Sequence, residues 1–232
     1  MHLRSYSSIL AIAFLFLING CQSSKLEPVS AGYDYFPLET GQFTIYDITE
    51  QNYSLNAAPV QRTYQLKEVV GDSYLDVTGN KAFRLIRYRR STANKPWQAD
   101  SVWSARLVNN EAIRTENGLD FVKLLFPVSD QLTWDGNRLN SAENDDYQLR
   151  NSRQPYRVSD KQYDETVTVI AQNDSTLVSQ DKRLDVYARQ VGLIYKERTQ
   201  LQFCSSSPGC IGKYQIDYGI RQIYRIQQYG KE

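Results

Sequence analysis

Apolar and polar side chains alternate along most of the chain, which is the pattern of half-buried β-strands. In Leu193–Phe203 the apolar residues fall mainly on one face and the polar residues on the other, and Tyr214–Ile220 repeats the alternation. Gln42–Thr49 has apolar residues on both faces, as a central strand does. No long segment keeps the i, i+3, i+4, i+7 apolar spacing of an amphipathic helix. The chain is therefore predicted to fold mainly from β-strands.

A second pattern, repeated three times, predicts how the strands connect. In each copy, two turn-prone pairs enclose six residues and are flanked by longer strand-like segments. The pairs are Gly71-Asp72 with Gly79-Asn80, Asn109-Asn110 with Asn117-Gly118, and Asn173-Asp174 with Asp181-Lys182. Asn, Asp and Gly tolerate the positive φ of tight hairpin turns. We therefore predict three long–short–long meanders, with Ser129–Tyr156 as a long loop between the two halves.

These elements predict one mainly β domain of antiparallel meanders, placed at residues 33–232. A sheet of this many strands twists, and it protects its edges by closing into a barrel or half-barrel or by folding over as a sandwich. The pattern leaves that choice open. The 17 Tyr, 8 Phe and 3 Trp residues suit pleated surfaces with buried rings. An aromatic-lined ligand surface is the alternative interpretation of that composition.

The N-terminus has the three parts of an export signal. Arg4 gives the start a positive charge, residues 9–18 are an unbroken apolar run, and small Gly20 precedes Cys21. A run of this length is typical of a signal peptide and is shorter than the about 20 residues that span a bilayer as a helix. We expect residues 1–20 to be a cleaved signal peptide. Residues 21–32 are rich in small and polar side chains and are predicted to form a flexible tether.

The cleavage region Ile18-Asn-Gly-Cys21 resembles the lipobox of bacterial lipoproteins. The resemblance implies that the Cys21 thiol is diacylglycerylated, that the signal is cut before it and that the new amine is acylated, with chains such as palmitate. Two or three acyl chains anchor a protein stably in a membrane. An ordinary secretory signal with an incidental cysteine is the alternative. We expect a lipid-anchored envelope protein in a Gram-negative outer membrane, facing either the periplasm or the medium.

Composition narrows the possible chemistry. Signal removal also removes Arg4 and the single histidine, His2, so 26 of the 27 Lys and Arg residues remain against 26 Asp and Glu. This balance argues against nucleic-acid binding, which needs a clustered basic excess. Without histidine, Ser-His-Asp and Cys-His nucleophiles are excluded. No phosphate loop, nucleophile elbow or cofactor motif is present, so we expect no cofactor and no enzyme activity.

Cys204 and Cys210 are the two cysteines that remain after lipidation. Five residues separate them, whereas a thioredoxin-like pair has two, and a zinc site would need further Cys or His ligands. Exported proteins meet an oxidising compartment. We therefore predict a disulfide that closes a short loop.

An acidic cluster is one candidate site. Glu143, Asp145 and Asp146 lie close in sequence, with Asp135 nearby. Two carboxyl groups about 5–10 Å apart across a cleft could hydrolyse a glycosidic bond. The same oxygens could bind Ca²⁺, although the spacing is not that of an EF-hand. A solvated loop is the simpler interpretation.

A basic cluster is the other candidate. Arg84, Arg87, Arg89 and Arg90 surround Tyr88, with Arg87 and Arg89 predicted on one face of a strand and Tyr88 and Arg90 on the other. Cross-strand ion pairs on a solvated strand would explain it. The alternative is a surface for an anionic ligand or partner, because guanidinium groups match carboxylates and phosphates.

Three short motifs resemble segments of β-rich lipoproteins common in the Bacteroidota. They are Tyr35-Phe-Pro-Leu-Glu-Thr-Gly41, Trp134-Asp-Gly-Asn137 and Tyr187-Ala-Arg-Gln-Val-Gly-Leu-Ile194. The resemblance implies an uncharacterised, lipid-anchored cell-envelope protein, and it supplies no catalytic residues.

The sequence therefore favours a non-catalytic, lipid-anchored envelope protein that binds a partner protein or an apolar or glycan ligand. Two alternatives stay open. One is a carboxylate-based hydrolase acting on envelope polysaccharide, and the other is a structural subunit of an envelope assembly.

Overall fold

A single antiparallel sheet makes up nearly all of the fold. The computed structural model describes residues 31–232, which form one compact unit. The twelve strands are β1 (Gln42–Tyr53), β2 (Val60–Leu75), β3 (Lys81–Arg90), β4 (Gln98–Val108), β5 (Glu111–Glu116), β6 (Leu119–Leu125), β7 (Thr133–Asp135), β8 (Asp146–Val158), β9 (Lys161–Ser175), β10 (Ser179–Ala188), β11 (Gly192–Phe203) and β12 (Ile216–Lys231). A 3-10 turn, Tyr33–Tyr35, precedes β1.

The sheet is a nearly closed barrel, which decides between the architectures that the sequence left open. Its strand order is β6-β5-β4-β3-β2-β1-β12-β11-β10-β9-β8-β7, so every neighbour is the next strand in the chain except where β1 pairs with β12. At the two free edges, the Val122 N–H donates to the Gly136 carbonyl at 2.9 Å. The Trp134 Nε1–H donates to the Val122 carbonyl, also at 2.9 Å. We call this junction of β6 with β7 the seam. The predicted fold class is confirmed.

The middle meander is confirmed strand by strand. The predicted six-residue strand is β5, and it lies between β4 and β6 as expected. Asn109, Asn110, Asn117 and Gly118 all have positive φ, between 52° and 85°. The turn chemistry read from the sequence therefore sets the strand boundaries here.

The predictions of the other two meanders are wrong. In each, the six residues predicted as a short strand instead form the turn of a two-stranded hairpin and the strand residues next to that turn. β2 continues through Gly71-Asp72 by means of a bulge between Val70 and Ser73, and the turn comes later, at Asp76. There the Asp76 carboxylate accepts two backbone N–H groups at 2.9 Å. In the third copy the Thr176 hydroxyl stabilises the turn between β9 and β10 by accepting backbone N–H groups.

The predicted loop Ser129–Tyr156 is also wrong. It contains β7 and most of the 13-residue strand β8. The polar sequence of β8 conceals it, because only a few of its side chains are buried, and Asn151 and Arg153 interrupt the regular pairing with positive φ. A bulged strand of this kind lacks the alternation that identifies strands in a sequence.

Two apolar clusters fill the inside of the fold. One contains Tyr35 and Phe36 from the first predicted motif together with Trp134, and the other contains Tyr46 and Ile48. These aromatic rings are core residues. The compact unit begins at Ala31, whose carbonyl accepts the Val128 N–H.

The Cys204 and Cys210 sulfur atoms lie at disulfide distance, with the Cα atoms 5.7 Å apart, in the segment between β11 and β12. The predicted signal peptide, the lipobox with Cys21 and most of the predicted tether lie outside the described residues. Among residues 31–232, no helix is long and apolar enough to cross a membrane.

Candidate functional site

A layer of charged side chains crosses the barrel interior between the apolar clusters. Glu68 on β2 pairs directly with Arg87 on β3, so both side chains lie on the same face. Arg114 and Glu116 on β5 and Lys123 on β6 join them. Residues Glu68, Arg87 and Lys123 are each less than 10% exposed. Such burial is rare for charged residues unless they are paired.

Ion pairs and cation–π contacts hold this layer together. The Arg114 guanidinium pairs with the Glu68 carboxylate, and its Nε lies 3.3 Å from Glu116 Oε1. Lys123 Nζ lies 3.3 Å from the same Glu116 oxygen. The Arg87 guanidinium lies 3.6 Å from the centroid of the Trp103 ring, where it is attracted by the face of the indole.

The opposite wall contributes Asp185 and Lys196, which are direct partners between β10 and β11. The charge of Asp185 raises the pKa of Lys196 despite its burial. Burial lowers the pKa of Lys123, which Glu116 only partly offsets. Burial opposes ionisation of Glu116, but the positive charges of Lys123, Lys196 and Arg114 outweigh it and lower its pKa to about 2.

The interior is too full to hold an organic ligand. A cavity of about 30 Å³ lies within the charged layer, and another of about 60 Å³ lies beside Phe36 and Tyr187. The first has room for about two water molecules. In residues 31–232, the Trp103 indole N–H and the Nε groups of Arg87 and Arg114 form no hydrogen bond. Water is a suitable partner for them, whereas organic ligand sites measure about 300–1,000 Å³.

A larger opening of about 270 Å³ lies beside the seam, and we call it the seam cleft. It is walled by β5 and β6, by the segment that joins β7 to β8 together with the start of β8, and by β9, β10 and β11. Its charged residues are Glu116, Lys123, Asp145, Arg183, Asp185, Lys196, Glu197 and Arg198. The cleft opens onto the charged layer, because four residues line both: Glu116, Lys123, Asp185 and Lys196.

The charges of the seam cleft balance, with four cations and four anions. Arg183 Nη1 lies 2.7 Å from Asp145 Oδ2, and Glu197 pairs with Lys182 at 2.8 Å. Arg198 donates to the Gln200 side chain and has no ion-pair partner among residues 31–232. Phe121 and Tyr147 add aromatic surface. Such a site offers many donors and acceptors but selects no net charge.

The structure separates the members of the predicted acidic cluster. Asp145 lines the seam cleft. The Asp135 carboxylate instead accepts the backbone N–H groups of Asn137 and Asp145, at 2.9 and 3.0 Å, and so stabilises the segment that joins β7 to β8. Glu143 and Asp146 are exposed. Within residues 31–232, no group of three or more His, Cys, Asp or Glu side chains could hold a metal ion.

The predicted basic cluster is divided between two environments. Arg87 points into the barrel, and Arg89 lies on the same face two residues later, as predicted, but is exposed. Arg84 lies over the Tyr74 ring on the other face, 5.0 Å from its centroid. Arg90 lies over the Trp97 ring at 4.2 Å.

Sequence reasoning missed most of the charged layer. One signal was available, because Lys123 interrupts the apolar run Phe121–Phe126 in a predicted strand. Arg114 and Glu116 gave no such signal, because they lie in the short strand β5, where charged residues normally face solvent. Their burial follows from closure of the barrel, which brings β5 opposite β10 and β11.

Comparison with known proteins gives little further information. No family model matches the sequence. No curated protein matches it either. A solved structure of a protein from Parabacteroides distasonis, described as a "putative lipoprotein", aligns with a TM-score of 0.37 and 9% identity, over 84% of this chain and 98% of that one. This likeness is too weak to transfer a fold or a function.

Proposed function

We propose that this chain is a lipid-anchored envelope protein whose β-barrel binds a saccharide in the seam cleft. The lipobox-like segment before Cys21 supports the anchor, and the motifs that resemble Bacteroidota envelope lipoproteins support an outer-membrane location. The charge-balanced seam cleft supports the ligand class.

Lipidation is tested by labelling cells that express the full chain with an alkyne analogue of palmitate. Cys21→Ser is expected to abolish labelling, because the acyl groups are attached at this residue. Cys210→Ser is the matched control and is expected to label like the parent, since it removes a cysteine outside the lipobox. Equal labelling of the Cys21→Ser variant and the parent would refute the anchor.

The chemistry of the cleft favours a saccharide over the other ligands that the sequence left open. An apolar ligand needs an apolar cavity, and the two cavities of about 60 and 30 Å³ have room for only a few water molecules. A saccharide presents hydroxyl groups to carboxylates, amides and guanidinium groups, and its C–H face packs on aromatic rings. Asn137, Arg198 and Glu197 supply the polar groups in the seam cleft, and Phe121 and Tyr147 supply the rings.

The carboxylate-based hydrolase stays a prediction. A general acid needs a carboxyl group with a raised pKa. In the seam cleft, burial opposes ionisation of Glu197, but hydrogen bonds from Lys182, Tyr195 and Thr199 and the charge of Lys182 lower its pKa. The pKa of Glu116 is lowered as well, to about 2. Because both pKa values are lowered, these side chains are favoured as ionised carboxylates, which accept hydrogen bonds from a ligand, rather than as proton donors. We therefore rank saccharide binding above hydrolysis.

Binding is tested by calorimetry of residues 31–232 with maltotriose, cellotriose, mannotriose and chitotriose. At least one of these trisaccharides is expected to bind. Arg198→Ala is expected to weaken that binding at least tenfold, about 1.4 kcal/mol, because it removes an unpaired guanidinium from the cleft wall. Arg157→Ala, at an exposed position on β8 outside the cleft, is the matched control and is expected to leave the affinity unchanged. The proposal fails if none of the four binds or if the two variants behave alike.

A further inference from the structure

One row of side chains connects the seam cleft to a second groove across the long strands. Arg183 pairs with Arg198, Arg198 with Gln222, Gln222 with Glu50, and Glu50 with Arg62. Directly paired residues on antiparallel strands point to the same face of the sheet. These five residues therefore form a continuous cross-strand row over β10, β11, β12, β1 and β2.

The row lies on the inner face of the sheet, next to a parallel row of residues that belongs to the barrel interior. Two residues along each strand, the neighbouring row is Asp185, Lys196, Tyr224, Ile48 and Tyr64. Its member on β1, Ile48, is 1% exposed, and its first two members belong to the charged layer. Since adjacent strands lie about 4.8 Å apart, the cross-strand row is roughly 19 Å long.

The far end of the row belongs to a basic groove of about 770 Å³. The groove is lined by parts of β1, β2 and β3, by the segment that joins β3 to β4 and by the first residue of β4. Its cations are Arg62, Arg89, Arg90 and Lys95, and none of them has an ion-pair partner among residues 31–232. Glu50 is the acid in its lining, and it accepts hydrogen bonds from the Asn52 and Gln222 side chains at 3.0 Å.

Aromatic rings position two of the arginines in this groove. The Arg90 guanidinium lies 4.2 Å from the Trp97 ring centroid, and its Nε donates to the Gln65 side chain at 2.8 Å. The Arg89 guanidinium lies 5.2 Å from the Tyr64 ring centroid. A stacked guanidinium keeps N–H groups at its edge available for carboxylate, sulfate or phosphate oxygens.

The rest of the lining indicates what carries those oxyanions. Apart from Pro96 the remaining side chains are polar: Gln61, Thr63, Ser91 and Gln98 contribute amide and hydroxyl groups rather than apolar pockets for peptide side chains. A concave groove also suits a chain molecule better than a flat bilayer surface. We infer that the barrel binds an extended acidic oligosaccharide, which runs from the seam cleft along the cross-strand row and places its acid groups in the basic groove. This inference rests on the proposed function and adds the length and charge of the ligand.

Length and charge are tested with hexagalacturonate, trigalacturonate, methyl-esterified hexagalacturonate and a hexaglutamate peptide. Hexagalacturonate is expected to bind at least tenfold more tightly than each of the other three, because it alone combines length, hydroxyl groups and free carboxylates. Its affinity is expected to fall as salt rises, since exposed charges are screened. The inference is overturned if hexagalacturonate does not bind, or if the ester or the peptide binds as tightly.

Matched double variants locate the acid groups. Arg62→Gln with Arg89→Gln is expected to weaken hexagalacturonate binding at least tenfold and to leave the neutral trisaccharide in the seam cleft unaffected. Arg84→Gln with Arg157→Gln removes the same charge from outside the groove and is expected to change neither affinity. Equal effects of the two double variants would overturn the inference while leaving the proposed function standing. Failure of every trisaccharide to bind would instead overturn the proposed function.

Discussion

Arg114→Met is expected to destabilise the barrel by about 3–5 kcal/mol, the cost of breaking a buried ion pair by removing one partner. Arg114 pairs with Glu68 and lies 3.3 Å from Glu116, so its loss leaves two buried carboxylates without their shared cation. The Trp103 ring also loses a guanidinium neighbour, 5.1 Å from its centroid. The measurement is urea unfolding of residues 31–232 followed by tryptophan fluorescence.

The matched control for this prediction is Lys231→Met, which breaks an ion pair with Glu39. Those side chains are 57% and 68% exposed, so the expected cost is within about 1 kcal/mol. Combining Arg114→Met with Glu68→Gln is expected to cost less than the sum of the two single variants, because the second change removes a charge that the first leaves unpaired. Equal losses of unfolding free energy for Arg114→Met and Lys231→Met would refute the structural importance of the charged layer.

The sequence predicted this fold best where local chemistry decides the structure. β4, β5 and β6 were predicted because Asn109-Asn110 and Asn117-Gly118 tolerate positive φ and the residues between them cannot form a longer strand. At Gly71-Asp72 the same turn chemistry misled, because β3 pairs with β2 both before and after the bulge between Val70 and Ser73. Pairing with a neighbouring strand overrides the local turn preference there.

The candidate site was harder to predict because it depends on closure of the sheet. Arg87 and Arg89 belong to one face in sequence and in structure, but only the curvature of the barrel buries the first and exposes the second. The cross-strand row joins residues as distant in sequence as Arg62 and Arg198. The register between strands far apart in the chain cannot be predicted from alternation alone. A shift of the pairing by two residues leaves every side chain on the same face of the sheet.

Trp134→Ala is the second change expected to have a large effect, with a loss of about 3–5 kcal/mol. Trp134 is 5% exposed, packs against Tyr147 and donates its indole N–H to the Val122 carbonyl across the seam. Trp134→Phe keeps an aromatic ring but loses the hydrogen bond, and it is expected to cost about 1–3 kcal/mol. Urea unfolding measures both losses. Trp97→Phe, at a half-exposed position between β3 and β4, is the control.

Hydrogen exchange distinguishes loss of seam closure from general destabilisation. The Val122 amide, bonded to Gly136 across the seam, is expected to exchange much faster in Trp134→Ala, whereas the Ile48 amide, which lies where β1 pairs with β2 and β12, is expected to change much less. Such a difference is expected because strands open locally at energies below global unfolding. Tyr147 packs on Trp134 and lines the seam cleft, so saccharide binding should weaken together with seam protection. Uniform acceleration at every strand would instead show that the seam opens only when the whole barrel unfolds.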